Sequence, residues 1–343
     1  MGYIIYYNPA ITPISAGRKK IRIDFESMSN KLGKTAVIPS GFSSANNGSY
    51  IIECSIPEAL TIADGAFNII GAQTFNASMT FDFPNVVKVG TQAFGSAGYG
   101  SASVNLPKCN QLSISSFYQA RVNALTLNEL IEEIPTTCCY TCTSLRSLNS
   151  LTFLKRIMNN ALYGCTNLVW SLPPNLEYIG DGGLQNCRYV TGTLPNTVTY
   201  VGPYGLSGCV LVNIPTLPDN LESLQGAAFA STNCTINTLP DKFTRLPFSV
   251  FRNTKVSFNN LPKITYYEDQ CLAQCPNITT LTLGSPGNPV TYITPYNISG
   301  IVTLGSFNNN SQLTKITVYT NGGTAIAGAP WGADNATVTF VAA

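Results

Sequence analysis

Apolar and polar positions along this chain form a block that returns every 21–23 residues. A leucine–proline pair marks it most plainly, at Leu172-Pro173, Leu194-Pro195, Leu217-Pro218, Leu239-Pro240 and Leu261-Pro262, with steps of 22, 23, 22 and 22 residues. Inside each block an aliphatic residue is followed five positions later by a large apolar one, and three beyond that by a small one. The pairs are Ile62/Phe67, Val89/Phe94, Leu112/Phe117, Ile134/Cys139, Ile157/Leu162, Ile179/Leu184, Val201/Leu206, Leu224/Phe229, Leu246/Phe251 and Tyr267/Leu272, with Ile293/Ile298 as a degenerate last copy. One supersecondary unit repeated at a fixed period predicts a solenoid, in which each unit covers the apolar face of its neighbour.

Each unit predicts one short strand that forms a parallel rung, after which the chain crosses over and returns one rung higher. Proline after leucine ends the strand, because it cannot donate to the ladder. A Gly- or Asn-rich tetrapeptide before each Leu/Phe turns the chain. The resulting organisation has three parts: a small β module at residues 1–50, a solenoid of about ten units at 51–300, and a C-terminal β cap at 301–343. In the first part Tyr3–Tyr7 predicts a strand, and residues 20–26 alternate polar and apolar as a half-buried strand does. Its basic cluster, Arg18, Lys19, Lys20 and Arg22, fits either a docking patch or the solvated face of that strand. The module either caps the first rung or fastens the array to a larger body.

The wording of individual units, such as Ile62-Ala-Asp-Gly-Ala66-Phe67 and Ile157-Met-Asn-Asn-Ala161-Leu162-Tyr-Gly-Cys165-Thr-Asn-Leu168, resembles the BspA-like class of leucine-rich repeats. The resemblance covers about residues 55–300 and implies an α/β-type leucine-rich solenoid with parallel strands. Cys139 departs from it in the aromatic slot, and Thr232 and Thr254 depart in the Cys slot. Pro330-Trp331-Gly332 and Asn335-Ala-Thr are similar to the ending of BspA-like proteins, which makes Trp331 a cap residue. The right-handed β-helix of polysaccharide lyases has a similar rung length, but its coils are mostly strand, whereas most of each unit here is turn.

Composition narrows the chemistry. Only 10% of residues are charged and the net charge is +2, which gives no field suited to nucleic acid or an anionic membrane. Histidine is absent, and with it the commonest general base, the Ser–His and Cys–His nucleophile pairs and the commonest metal ligand. Eleven cysteines are present. Cys142, Cys165, Cys187, Cys209 and Cys275 share one slot of the repeat, which predicts a stack of buried thiols rather than bridges or a zinc site. Glu132-Glu133 and Glu268-Asp269 are adjacent carboxylates that would point to opposite faces of a strand. No catalytic residue, cofactor or metal site is expected.

The positive candidate is an outward ribbon of polar side chains between the inward Leu and Ile positions: Arg146, Thr191, Asn213, Asn237, Ser257, Thr280 and Thr282. Such a face suits binding to a protein or a glycan through many modest hydrogen bonds. Free thiols at this density point to folding in a reducing compartment. The first residues carry no secretory signal, and no apolar stretch is long enough to span a bilayer. The expected function is therefore non-enzymatic recognition by a bacteriophage virion component of the tail, baseplate or head decoration, folded in host cytoplasm. Its N-terminal module would meet other virion proteins, its repeats would meet a host-surface protein or glycan, and homo-oligomers are compatible with the architecture. The alternative is a cell-surface adhesin of a bacterium or protist. A polysaccharide-cleaving β-helix enzyme stands third.

Overall fold

The structure is a computed structural model that describes residues 19–24, 36–38, 50–55, 59–67, 75–95, 99–298 and 301–343. It is a parallel-strand β-solenoid of about eleven turns with repeats of roughly 22 residues. The chain divides into two compact units, Met1–Asn175 with Cys187–Tyr189, and Leu176–Asn186 with Val190–Ala343.

In the first unit, two parallel ladders form where the sequence predicted one strand per repeat. One ladder joins Lys19–Asp24, Tyr50–Ser55, Phe75–Asp82, Tyr99–Asn105, Val122–Thr126 and Ser147–Leu148. The other joins Ala36–Ile38, Ala59–Ile62, Lys88–Val89 and Gln111–Leu112, and Glu133–Ile134 then pairs with Arg156–Ile157 in the same manner. Ile62, Val89 and Leu112 stand directly beside one another, so the aliphatic slot of each coil seals the next. The strand expected at 20–26 is present as Lys19–Asp24, an outer rung of the first ladder. Both ladders thus begin inside the segment set apart as residues 1–50. Tyr3–Tyr7 and Arg18 lie outside the described residues.

The second unit repeats the plan. Tyr178–Ile179 pairs with Tyr200–Val201, and Arg245–Leu246 with Tyr266–Tyr267 and Tyr292–Ile293. On the other side, Asn213–Ile214 pairs with Asn233–Cys234, and Asn260–Leu261, Thr280–Leu283, Lys315–Thr320 and Thr337–Ala342 form a parallel sheet.

The connection between the two sides of a coil is a turn, not a helix. From Ser115 on, each coil carries residues with positive φ four positions apart, as at Ser115 and Gln119 (both +56°), Thr137 (+52°) and Thr141 (+50°), and Ser249 (+51°) and Asn253 (+55°). Left-handed residues at that spacing cannot propagate an α-helix. Among the described residues the helical element is the 3₁₀ turn Asn321–Gly323, so the array is a β-solenoid and lacks the helical half of an α/β-type one. A left-handed non-glycine residue costs about 1–2 kcal/mol, and a second ladder offsets it. Ser115, Phe117 and Gln119 donate their N–H groups to Thr136, Cys138 and Tyr140 of the following coil at 3.1, 2.8 and 2.8 Å. Ser113, just after the strand Gln111–Leu112, donates back to Val89 of the preceding coil at 2.9 Å. Gly208 sits at one such turn: its φ is +80°, and a Cβ there would sit 2.6 Å from Asn186 Oδ1.

The core is a column of the slots named above. Phe67, Phe94 and Phe117 stack at 5.0 and 4.9 Å between centroids, close to the strand spacing. Cys139 is buried in the same column, with its N–H on Ala161 at 2.7 Å. The Cys slot forms a second column with its own bonding rule. Cys142, Cys165 and Cys187 donate Sγ–H to the carbonyls of Phe117, Cys139 and Leu162 in the preceding coil, at 2.9, 3.1 and 3.0 Å. In the second unit Cys209 does the same to Leu184 at 3.0 Å and Cys275 to Phe251 at 3.1 Å. The shorter hydroxyls of Thr232 and Thr254 turn inward to their own coil, onto Phe229 and Phe251 at 2.7 and 2.6 Å. Ten of the eleven cysteines, from Cys109 to Cys275, are buried and form no disulfide.

The repeat departs from expectation at Ile298. A hairpin of Tyr296–Ile298 against Ile301–Leu304 is inserted there, and Phe307 completes the coil instead. Leu272 donates to Ser306 at 3.0 Å and Phe307 to Trp331 at 3.1 Å, which sets Phe307 in the stacked turn. Asp269 closes the base of the insertion, its Oδ1 accepting the N–H groups of Leu304 and Gly305 at 3.0 and 2.8 Å. Replacing Asp269 by alanine is expected to cost about 2–3 kcal/mol, because charge-assisted bonds are lost while the amides stay fixed. Urea denaturation measures this, and a loss within about 0.5 kcal/mol contradicts it. Trp331 is fully buried, edge-on to Phe307 and Phe340 at 6.0 and 6.2 Å, with its Nε1–H on Ala327 at 3.0 Å. It is packed inside the coil that follows Phe307 and presents no exposed ring.

Candidate binding surface

The side chains that the ladders hold outward form rows, because each coil repeats the last at strand spacing. All seven sequence-derived candidates are exposed or half-exposed. They do not make one ribbon. Arg146 belongs to the first unit and directly precedes Ser147, which sits beside Ala124 and Val169. In the second unit Asn213 stands beside Thr193 and Asn233, so Thr191 falls two residues out of register with it. Asn237 and Ser257 do share a register, set by Ser257 N–H donating to Ile236 at 3.1 Å. Thr280 lies beside Lys315, and Thr282 beside Asn260 and Thr317.

Tyrosine rows are the feature that the sequence reading missed. In the first unit Tyr118, Tyr140 and Tyr163 occupy the position after the large apolar slot. They stack nearly parallel at 5.2 and 4.9 Å, half-exposed. In the second unit Tyr178 and Tyr200, one residue before the aliphatic slot, stack at 5.0 Å. Tyr266 and Tyr292 hold the same position further on at 4.6 Å, and the Arg245 guanidinium lies 4.9 Å over the Tyr266 ring. Arg245 is also paired with Glu268, whose other oxygen accepts the Phe248 N–H at 3.0 Å. Stacked aromatic pairs contribute about 0.5–1.5 kcal/mol beyond their burial, so these rows are rigid as well as amphipathic. Burial, the nearby Asp181 carboxylate and Tyr178 raise the Tyr200 phenol above its ordinary range, which keeps it a neutral donor. The signal was present as tyrosines 22, 23 or 26 residues apart, but hydrophobic patterning filed them with the core.

The adjacent carboxylates Glu132 and Glu133 are used within the array. Glu132 and Glu133 are both exposed, contrary to the opposite-face expectation, because only Glu133 lies in the strand. Each meets a cation of the next coil, Lys155 at 3.2 Å and Arg156 at 3.5 Å. Burial pushes the Cys109 and Cys234 thiols up to about 12 and that of Cys275 to about 11, so they stay protonated and poor as nucleophiles. Among the described residues, no cluster of three or more Cys, Asp or Glu has a metal-holding arrangement. No helix among them is long and apolar enough to cross a membrane.

Several solved structures are similar to this chain. A leucine-rich cell surface protein from Faecalibacterium prausnitzii is 15% identical, with a TM-score of 0.40, over 97% of this chain and 93% of that one. The pneumococcal vaccine antigen PcpA is 14% identical, with a TM-score of 0.45, over 90% of this chain and 84% of its own. A leucine-rich repeat protein from Bacteroides ovatus is 17% identical, with a TM-score of 0.47, over 71% and 76%. No curated protein matches the sequence. The family model described as "BspA type Leucine rich repeat region" matches residues 44–169, 177–300 and 213–326, in six copies. With most of its length matched in this way, the chain belongs to the BspA-type leucine-rich repeat family.

Proposed function

We propose that this protein is a non-catalytic recognition protein whose outward rows engage a host-surface protein or a glycan. The observation that carries this reading is the pair of tyrosine arrays, Tyr118–Tyr140–Tyr163 and Tyr178–Tyr200, held half-exposed in register by backbone ladders. Tyrosine brings large amphipathic area at low entropic cost and is enriched at binding hot spots. On the other ladder, the polar rows around Asn213, Asn237, Ser257 and Thr282 offer adaptable hydrogen bonding of their own. Thiols kept protonated by burial, and carboxylates tied to neighbouring coils, support a binding rather than a catalytic role.

The particle that carries it, on this proposal, is a bacteriophage virion. Ten buried, unbridged thiols suit a chain that folds in a reducing cytoplasm and reaches the outside afterwards. In that setting the N-terminal strands contact other virion proteins while the coils face the host. Mass spectrometry of purified particles is expected to find the chain, and its absence would eliminate the virion assignment. The second reading, a cell-surface adhesin, draws on membership of a repeat family associated with surface adhesion, and surface labelling of intact cells would favour it. For recognition itself, fluorescently labelled full-length protein is expected to bind intact host cells. The variant Tyr118→Ser, Tyr140→Ser, Tyr163→Ser should bind about tenfold or more weakly, with an unchanged circular dichroism spectrum. Binding as strong as wild type by both this variant and one with Tyr178→Ser and Tyr200→Ser would refute the tyrosine rows as the contact surface.

A further inference from the structure

The strand Thr337–Ala342 ends the sheet formed with Lys315–Thr320, and among the described residues Lys315–Thr320 is the strand that pairs with it. The N–H of Thr337 donates to Thr314 and that of Ala343 to Thr320, both at 2.9 Å. Backbone groups alternate sides along a strand, so those of Val338, Phe340 and Ala342 point to the opposite edge. Natural sheets blunt such edges with charge, proline or a bulge. This strand reads Thr-Val-Thr-Phe-Val-Ala, with no charge and no proline, and it keeps register with Lys315–Thr320 along its whole length. Val338, Phe340 and Val341 are left half-exposed and Thr339 exposed.

We propose that this edge pairs with the same edge of a second copy, antiparallel, to form a two-fold dimer. A two-fold axis perpendicular to the sheet keeps the side chains of both strands on their own faces. With Phe340 on that axis, Phe340 meets Phe340 of the partner, Val338 meets Ala342, and Thr339 meets Val341. Residues with outward N–H and C=O groups then stand opposite one another, and each such pair exchanges both of its hydrogen bonds. A charged partner strand would gain nothing from this edge, whereas an identical strand matches it in pattern, length and lack of charge. The apolar cross-strand pairs fall on the face that already packs against Trp331, where Phe340 stands edge-on at 6.2 Å, so the dimer extends that packing. An interface related by one two-fold is isologous and closes at two copies.

Sedimentation velocity of the full chain tests this. Wild type is expected to shift from monomer to dimer as concentration rises. A chain with both Thr339→Lys and Val341→Lys places like charges directly opposite across the interface and should remain monomeric. A chain with Thr339→Lys and Val341→Glu places opposite charges there and should dimerise again. Thermal melts of all three report that the monomer fold is kept. A wild type that stays monomeric throughout overturns the proposal and leaves the edge to a strand of another protein. A dimer that survives the double lysine variant overturns it as well.

Discussion

Replacing Phe117 by alanine is expected to cost about 3–5 kcal/mol of folding stability, the range for truncating a fully buried aromatic. The ring is 1% exposed and lies flat on Phe94, 4.9 Å away with planes 2° apart. Phe94 in turn stacks on Phe67 at 5.0 Å and meets Phe81 edge-on at 5.5 Å. Removing Phe117 therefore opens a void that the stack cannot close without breaking strand register, since backbone ladders hold the coils at fixed spacing. The Phe117 carbonyl still accepts the Cys142 thiol at 2.9 Å, so the turn itself is kept and the loss is one of packing. Urea denaturation of wild type and variant gives the difference. Because coils in a solenoid depend on their neighbours, hydrogen exchange should quicken most around Ser115–Gln119 and Thr137–Thr141. A change of less than about 1 kcal/mol, or exchange that quickens evenly along the chain, would show that the coils do not bear on each other in this way.

Stability is also expected to collapse at alkaline pH. The thiols of Cys109 and Cys234 are pushed from 9.0 up to about 12, and that of Cys275 to about 11, with burial the largest cause in each. An unfolded chain releases these protons near pH 9 while the folded chain holds them. The stabilisation is therefore whole below pH 9 and drains as pH rises toward 12. Each unit of displacement is worth about 1.4 kcal/mol, so Cys109 or Cys234 alone is worth up to about 4 kcal/mol across that window. Urea midpoints taken in steps from neutral to strongly alkaline pH should fall steeply beyond pH 9. Cys234→Ala separates this effect from tyrosine and lysine titration. The variant should be less stable at neutral pH, by about 1 kcal/mol, yet lose stability more slowly as pH rises. An alkaline fall as steep as that of wild type would rule out the thiols as its source.

Much of the scaffold was legible because it depends on residue type at fixed spacing. The period, the aliphatic and aromatic slots, the buried Cys column and the strand at Lys19–Asp24 all follow from which positions must be apolar or small. The second strand of each coil was less visible. Many of those strands are two residues long, as at Lys88–Val89 and Glu133–Ile134, too short to show alternation. The helix-free turn was hidden for a related reason. Residues as different as Ser115, Thr137, Ala227 and Gln270 hold positive φ there, because bonds to the next coil impose it rather than local preference.

The amino-acid sequence by itself determined that this chain stacks coils, which side chains each coil buries, and that its thiols lie in line. Those outcomes rest on hydrophobic burial, which is read position by position. Only the tertiary structure decided which outward residues share a row. An inserted hairpin moves the last slot from Ile298 to Phe307, Thr191 falls out of register with Asn213, and tyrosines from separate coils meet face to face. Lateral register is set by hydrogen bonds between coils of unequal length, and a single repeat unit carries no record of its neighbour's length.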